Sequence, residues 1–194
     1  MKKFITILFL LNLSLSNAYS IQADVFVQST VNRASEILSK NISKEEKMNG
    51  LKNIARETVD IRGVGFYSLG AARKDLNDDQ KKKYLNLFED YFLKSFSSRL
   101  SEYTNPKIDV QSKKVINENY TIVNSVLIST PDRPEVKIDW RIYTKNPDQP
   151  LIRDLIIEGL SLARTQKEEF ASILNSNNGD IKALFKTLEE FAKK

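Results

Sequence analysis

The side chains available for chemistry are carboxylates, hydroxyls, lysines and arginines, because the 194 residues include neither histidine nor cysteine. That composition excludes imidazole and thiolate metal sites, disulfides and every Ser-His-Asp triad. Asp139, Asp154 and Glu158 fall on a β-rich segment and could supply the carboxylate pair of a glycosidase. Arg141 and Arg153 lie at cross-strand spacing from them, so ion pairs on an outer sheet face are the favoured interpretation.

Tyrosines offer a second possible chemistry. Tyr67, Tyr91 and Tyr103 could polarise a carbonyl group from an apolar pocket, as a tyrosine does in ketosteroid isomerase. No acid accompanies them at a defined spacing, which a catalytic constellation would need. We therefore predict that the chain is not an enzyme and carries no metal or cofactor.

Gly63 and Gly65 form a Gly-x-Gly pair that could be read as a phosphate-binding loop. The pair follows no predicted strand, and it lacks the third glycine and the Lys-Ser/Thr of the known fingerprints. Close helix packing, or a kink at the mouth of a cavity, is the favoured interpretation.

Bulky apolar side chains indicate a binding space instead. Phe88, Phe92 and Phe96 recur every four residues, and Phe66 and Trp140 add two more aromatic rings. Ordinary helix–sheet cores mix leucine, valine and alanine, so this pattern is compatible either with core packing or with the walls of an apolar cavity.

Helical spacing covers residues 24–103, strand spacing covers residues 107–162, and helical spacing then returns, which predicts an α+β fold. Ser43 with Glu46 and Asn77 with Gln80 mark two helix starts. Turn-rich clusters divide the β-rich region into four strands, at residues 107–116, 120–130, 135–145 and 151–162. The short connections predict a curved antiparallel meander, with N-terminal and C-terminal helices that cover it and enclose an apolar cavity.

Residues 1–20 carry the pattern of a cleaved secretory signal: two lysines, an apolar run too short to span a bilayer, and small residues at 18 and 20. Residues 21–194 then form a single domain. Removing Lys2 and Lys3 from the 30 basic residues leaves 28 against 25 acidic ones, a net charge of +3. This small, evenly spread excess gives no indication of nucleic-acid binding.

The sequence resembles the MlaC family of periplasmic phospholipid-binding proteins, also called the toluene-tolerance auxiliary family. The resemblance extends over nearly all of residues 21–194. It is carried in order by Phe66–Gly70, Gln80–Tyr103, Val136–Arg141 and Asp154–Leu162, followed by Thr165, Gln166, Glu169 and Phe170.

The resemblance implies a monomeric carrier in the Gram-negative periplasm that encloses phospholipid tails and leaves the headgroup outside. It also implies two docking partners: an inner-membrane MCE-domain transporter complex and an outer-membrane lipoprotein–porin complex. Neither nucleic-acid binding nor stable membrane insertion is expected. The predicted lipid-binding residues are Phe66, Leu69, Phe88, Phe92, Phe96, Val126, Ile128, Ile138, Trp140, Ile142, Leu155 and Ile157.

Three alternatives stay open at this point. Within the family, the ligand could be a hopanoid or another polyisoprenoid lipid. From another class, a periplasmic adaptor or chaperone could bind polypeptide with the same apolar face. A histidine-free isomerase or hydrolase is the third.

Overall fold

Six α-helices and five β-strands follow one another in the computed structural model, which describes residues 21–193. The helices are α1 (Ala23–Ser39), α2 (Lys44–Thr58), α3 (Ile61–Leu69), α4 (Asp78–Leu100), α5 (Leu162–Asn175) and α6 (Ile181–Lys193), with a 3₁₀ helix at Gly70–Lys74. The strands are β1 (Ile108–Asn117), β2 (Tyr120–Leu127), β3 (Val136–Tyr143), β4 (Leu151–Ile157) and β5 (Leu160–Ser161). The α+β prediction is confirmed; the signal-peptide prediction lies outside the described residues.

The sheet is an antiparallel meander whose strands lie side by side in chain order, β1-β2-β3-β4-β5. Four strands were expected, and the fifth comes from a break in the predicted strand 151–162. Glu158 and Gly159 adopt positive φ angles of 49° and 81°, the backbone of a two-residue type I′ turn. The chain therefore reverses at these residues, and Leu160 pairs back onto Ile157.

Both predicted helix starts are confirmed. The side chains of Ser43 and Glu46 exchange hydrogen bonds with each other's backbone N–H groups at the start of α2, and Asn77 and Gln80 do the same at α4. None of the helices within residues 21–193 is both long enough and apolar enough to cross a membrane.

Two apolar clusters hold the helices and the sheet together. The helical cluster is formed by side chains from α3 to α6 and the segment after α3: Val64, Leu69, Leu76, Tyr84, Phe88, Ala163, Phe170, Leu174, Ile181, Leu184, Phe185 and Leu188. The sheet cluster joins α1 to the sheet through Ala23, Val27, Val31, Val123, Trp140, Ile142 and Ile152. Val59, just after α2, packs against both clusters and so connects them.

The Gly-x-Gly pair lies inside α3 and forms no loop. A Cβ atom on Gly65 would lie 2.8 Å from Cδ1 of the buried Phe88 ring, so glycine is what lets α3 approach α4 at this point. The carbonyl of Gly65 also accepts a 2.8 Å hydrogen bond from the Tyr84 hydroxyl. Burial raises the pKa of Tyr84 well above its ordinary value, which keeps this donor neutral. The packing interpretation of the glycines is the one that this geometry supports.

Gly65→Ala should lower the free energy of unfolding by about 1–3 kcal/mol, because the added methyl group overpacks the contact with Phe88. Urea denaturation followed by circular dichroism measures the change. Ser172→Ala, on the exposed surface of α5, is the control and should stay within about 0.5 kcal/mol of wild type. A Gly65→Ala protein as stable as this control would contradict the close-packing role.

Candidate functional site

One face of the sheet, here called the inner face, is apolar along β2, β3 and β4. Trp140 lies opposite Val123 on β2 and Leu155 on β4, and directly opposed residues of antiparallel strands point to the same side. The β3–β4 register then jumps, so that Ile142 pairs with Ile152. This β-bulge turns Ile152 to the inner face as well.

The inner face is fully covered at one end, here called the closed end. Ile142 is 0% exposed and Ile152 is 5% exposed, and both pack with Val27 and Val31 of α1. Trp140 is also buried, and its Nε1–H donates a 2.8 Å hydrogen bond to the Ser125 hydroxyl. That bond satisfies the indole's polar atom and fixes the ring against the sheet.

Coverage decreases toward the other end, here called the open end. Ile138, Leu155 and Ile157 are only half-buried, and Leu160, opposite Ile157 in the β4–β5 hairpin, is 52% exposed. These residues continue the row that starts at Ile142, so a continuous apolar face passes from buried to exposed. Apolar area left in water favours the binding of an apolar ligand or partner.

An aromatic ladder on α4 shows the same change from buried to accessible. Phe88 is 1% exposed and belongs to the helical cluster. The ring centroids of Phe88 and Phe92 are 6.1 Å apart, and those of Phe92 and Phe96 are 5.8 Å apart. Phe92 and Phe96 are half-buried. Phe66 on α3 is also half-buried, with the Arg62 guanidinium 5.1 Å from its ring centroid.

The predicted site residues therefore fall into three groups. Leu69, Phe88, Trp140 and Ile142 are buried members of the two clusters. The half-buried members define what is here called the candidate apolar surface: Phe66, Phe92, Phe96, Ile138, Leu155 and Ile157. The remaining two are Val126, which the strand register separates from the inner face, and Ile128, which follows β2.

Val126 lies opposite Lys137 and so points to the outer face of the sheet, away from Ile138. Ile128 follows the end of β2 and is 46% exposed. Val126 therefore lies off the inner face, and its role in lipid binding, like that of Ile128, stays a prediction. The run from Val126 to Ile128 is apolar at every position, so the sequence alone does not show which face of the sheet each side chain points to. The strand register shows it for Val126. The same register adds Val123 and Leu160, which the sequence reasoning missed.

Two acidic residues on the strands, Asp139 and Asp154, are engaged in structural contacts. The buried Asp154 carboxylate accepts hydrogen bonds from the Ser161 hydroxyl at 2.6 Å and from the Ala163 N–H at 3.0 Å, at the start of α5. Arg141 lies 3.7 Å from it, the cross-strand pair that was expected. Asp139 accepts a hydrogen bond from Asn124. These contacts favour ion pairing and helix capping over a glycosidase pair.

The three tyrosines considered for carbonyl polarisation have separate neighbours. The Tyr91 hydroxyl donates a 2.8 Å hydrogen bond to Gln166, and Tyr67 is exposed beside Lys167. Tyr103 lies under the Arg133 guanidinium, 4.6 Å from its ring centroid.

Two surface grooves, of about 420 and 300 Å³, follow α1 and α2. Their walls include Arg33 and Glu36 and no residue of the predicted site, so the grooves do not correspond to the expected cavity. Within residues 21–193, no group of three or more acidic side chains is arranged to hold a metal ion.

A single α+β domain with one partly uncovered apolar sheet face defines a class of binding proteins for apolar ligands. The family profile described as "MlaC protein" matches residues 28–190, and the chain therefore belongs to the MlaC family.

Two known proteins are similar to this chain. The "Intermembrane phospholipid transport system binding protein MlaC" of Haemophilus influenzae is 24% identical over 164 residues, which is 80% of this chain and 76% of that protein. A phospholipid-binding protein of Ralstonia solanacearum, solved in complex with a phospholipid, superposes with a TM-score of 0.75 at 17% identity. The match covers 89% of this chain and 98% of that one, and it establishes the shared fold.

Trp140 is the single tryptophan and lies between the closed and open ends, so its fluorescence should report on whatever covers the open end. Extraction of an apolar ligand with organic solvent should shift its emission to longer wavelength, because water then reaches the neighbouring half-buried side chains. A Trp140→Phe, Phe191→Trp variant, whose tryptophan lies on α6, is the control. Identical emission before and after extraction would place Trp140 away from the ligand.

Proposed function

We propose that this protein is a phospholipid carrier that binds acyl chains on the open end of the inner sheet face and moves lipid between two membranes. The observation that carries the proposal is the match to the MlaC family over residues 28–190, on a fold with a partly uncovered apolar face. The names of the two similar proteins describe phospholipid transport and phospholipid binding, which supports the same ligand class here.

The acyl chains enter between the strand residues and the helical residues of the candidate apolar surface. Ile138, Leu155 and Ile157 contribute the sheet side, and Phe66, Phe92 and Phe96 contribute the helical side. Deeper residues such as Phe88 and Ile142 support this surface from behind. The headgroup stays in water beyond the open end, where Lys137 and Glu158 provide charges of both signs. Because charges of both signs lie at this end, the protein should show only a weak preference among phospholipid headgroups.

Tail burial dominates the energetics of such a complex. Two acyl chains with about 30 methylenes, at about 0.8 kcal/mol each, correspond to about 24 kcal/mol of gross transfer free energy. This exceeds the limit of about 18–21 kcal/mol for measured non-covalent affinities, so a large part is offset by the costs of binding. Spontaneous release into water is then very slow, and release is faster when a membrane or a partner complex opens the site.

The proposed cellular localisation is the periplasm. Residues 1–20 act as a secretory signal that is removed, and residues 21–194 form the lipid-binding domain. The proposed docking partners are the inner-membrane MCE-domain complex and the outer-membrane lipoprotein–porin complex. The family is one of lipid-binding transport proteins, and the Asp139 and Asp154 side chains already have structural partners, which supports a carrier without catalytic activity.

Native mass spectrometry of the purified protein, followed by lipid extraction, tests the proposed ligand. A stoichiometric diacyl phospholipid is the expected result. A hopanoid or polyisoprenoid would assign a different lipid, whereas an empty protein that binds unfolded peptide would indicate the adaptor alternative.

Ile138→Asp and Phe92→Asp should each reduce the amount of bound phospholipid by about tenfold or more, since a carboxylate would face acyl chains without a partner. Lys114→Asp is the matched control, because it places the same carboxylate on an exposed position of β1 that pairs with Ile122 on the outer face. It should retain wild-type lipid content. Lipid is quantified by mass spectrometry on protein whose circular dichroism is native. A folded variant with full lipid content would remove that residue from the proposed site.

A further inference from the structure

The helices and the sheet meet at the closed end through a short backbone junction. Val59 and Ile152 form an isolated parallel bridge, and the N–H of Asp60 donates a 3.0 Å hydrogen bond to the carbonyl of Ile152. Val59 is also the residue that packs against both apolar clusters. The junction therefore lies where the helical and sheet parts of the molecule are joined.

A partly buried ion pair reinforces this junction. Nε and Nη2 of Arg153 lie 2.7 and 2.6 Å from Oδ2 of Asp60, and Nη1 donates a 2.8 Å hydrogen bond to the Tyr120 hydroxyl. The guanidinium also lies 3.8 Å from the centroid of the Tyr143 ring. A planar guanidinium group that donates to several acceptors and lies against an aromatic face has little freedom to reorient.

The surroundings of Arg153 favour the charged form of its guanidinium. Burial lowers the pKa of Arg153, but the hydrogen bonds to Tyr120 and Asp60 outweigh burial and raise it above its ordinary value. The guanidinium therefore stays charged throughout the physiological pH range.

Asp60 connects the same ion pair to α3. Its Oδ1 accepts a 2.8 Å hydrogen bond from the N–H of Gly63 and so caps the helix. A Cβ atom on Gly63 would lie 2.3 Å from Oδ2 of Asp60, so glycine gives the carboxylate room against the first turn. One carboxylate thus binds the start of α3 with one oxygen and the sheet with the other.

The position of Arg153 in the sheet results from the β-bulge. The register passes from the Arg141–Asp154 pair to the Ile142–Ile152 pair, which leaves Arg153 without a partner on β3. A bulge re-aims the side chain that it contains. The same irregularity that turns Ile152 inward therefore leaves Arg153 available for Asp60.

We infer that Asp60 and Arg153 are positioning residues for the proposed lipid site, holding the strand that carries Leu155 and Ile157 at a fixed angle to the helix that carries Phe66. The inference rests on the proposed function. Ile157 is four residues from Arg153, about 13 Å along the strand. A small tilt at the junction is therefore enlarged at the open end, where it separates the two sides of the site and speeds lipid release.

The test is the rate at which lipid-loaded protein transfers its phospholipid to acceptor vesicles of phosphatidylethanolamine and phosphatidylglycerol. Arg153→Gln should increase this rate by about tenfold, because it removes the charge-assisted hydrogen bonds to Asp60. Arg153→Lys keeps the charge but not the forked geometry and should give an intermediate rate. Asp60→Asn, which retains an oxygen to cap α3, should also release lipid faster than wild type.

Two controls separate positioning from general destabilisation. Arg56→Gln removes an ion pair with Glu89 between α2 and α4, and it should transfer lipid at the wild-type rate. Leu184→Ala destabilises the helical cluster but removes no hydrogen bond or ion pair of the junction, so its melting temperature should fall while its transfer rate stays near wild type.

Wild-type transfer rates in lipid-loaded Arg153→Gln and Asp60→Asn proteins would overturn the positioning role and leave the proposed function intact. Equal acceleration in Leu184→Ala would also overturn it, because release would then follow stability alone. A wild-type protein purified without any phospholipid would instead overturn the proposed function, and the inference with it.

Discussion

The helices cover one face of the sheet unevenly, and this explains both the stable core of the protein and its exposed apolar surface. Helix α1 buries Ile142 and Ile152 at the closed end, whereas Ile138 and Ile157 in the same apolar row are left half-buried. Apolar area in water costs about 25 cal/mol per Å², so the open end is an unfavourable surface unless something covers it. The closed end supplies the stability that allows the protein to keep that surface, and the proposed ligand binding follows from the difference between the two ends.

Local patterns in the sequence were sufficient for most of the architecture. A capping box depends on residues three positions apart, so Ser43 and Asn77 predicted two helix starts correctly. The alternation along β3 placed Ile138, Trp140 and Ile142 on one face, and the short connections gave the antiparallel order. The α+β class and the helical aromatic ladder follow from the same short-range periodicities.

The remaining features depend on pairing between distant segments, which periodicity does not specify. Val126 and Ile128 belong to a continuously apolar run, and only the register with β3 shows that Val126 points outward. The β-bulge at Arg153 changes which residues of β4 point to the inner face. The ionic partner of Arg153, Asp60, is 93 residues away in the sequence. Arg153 was expected to pair with an acid of the sheet, but it pairs with the residue that caps α3.

The exposed Leu160 at the open end also bears on how the protein behaves before it acquires a ligand. A newly made chain presents this apolar surface to every other copy, and self-association grows with the square of concentration whereas ligand uptake depends on the supply of lipid. Low abundance and early loading both reduce that competition. The partly uncovered surface that forms the proposed site therefore limits the concentration at which the ligand-free protein stays monomeric.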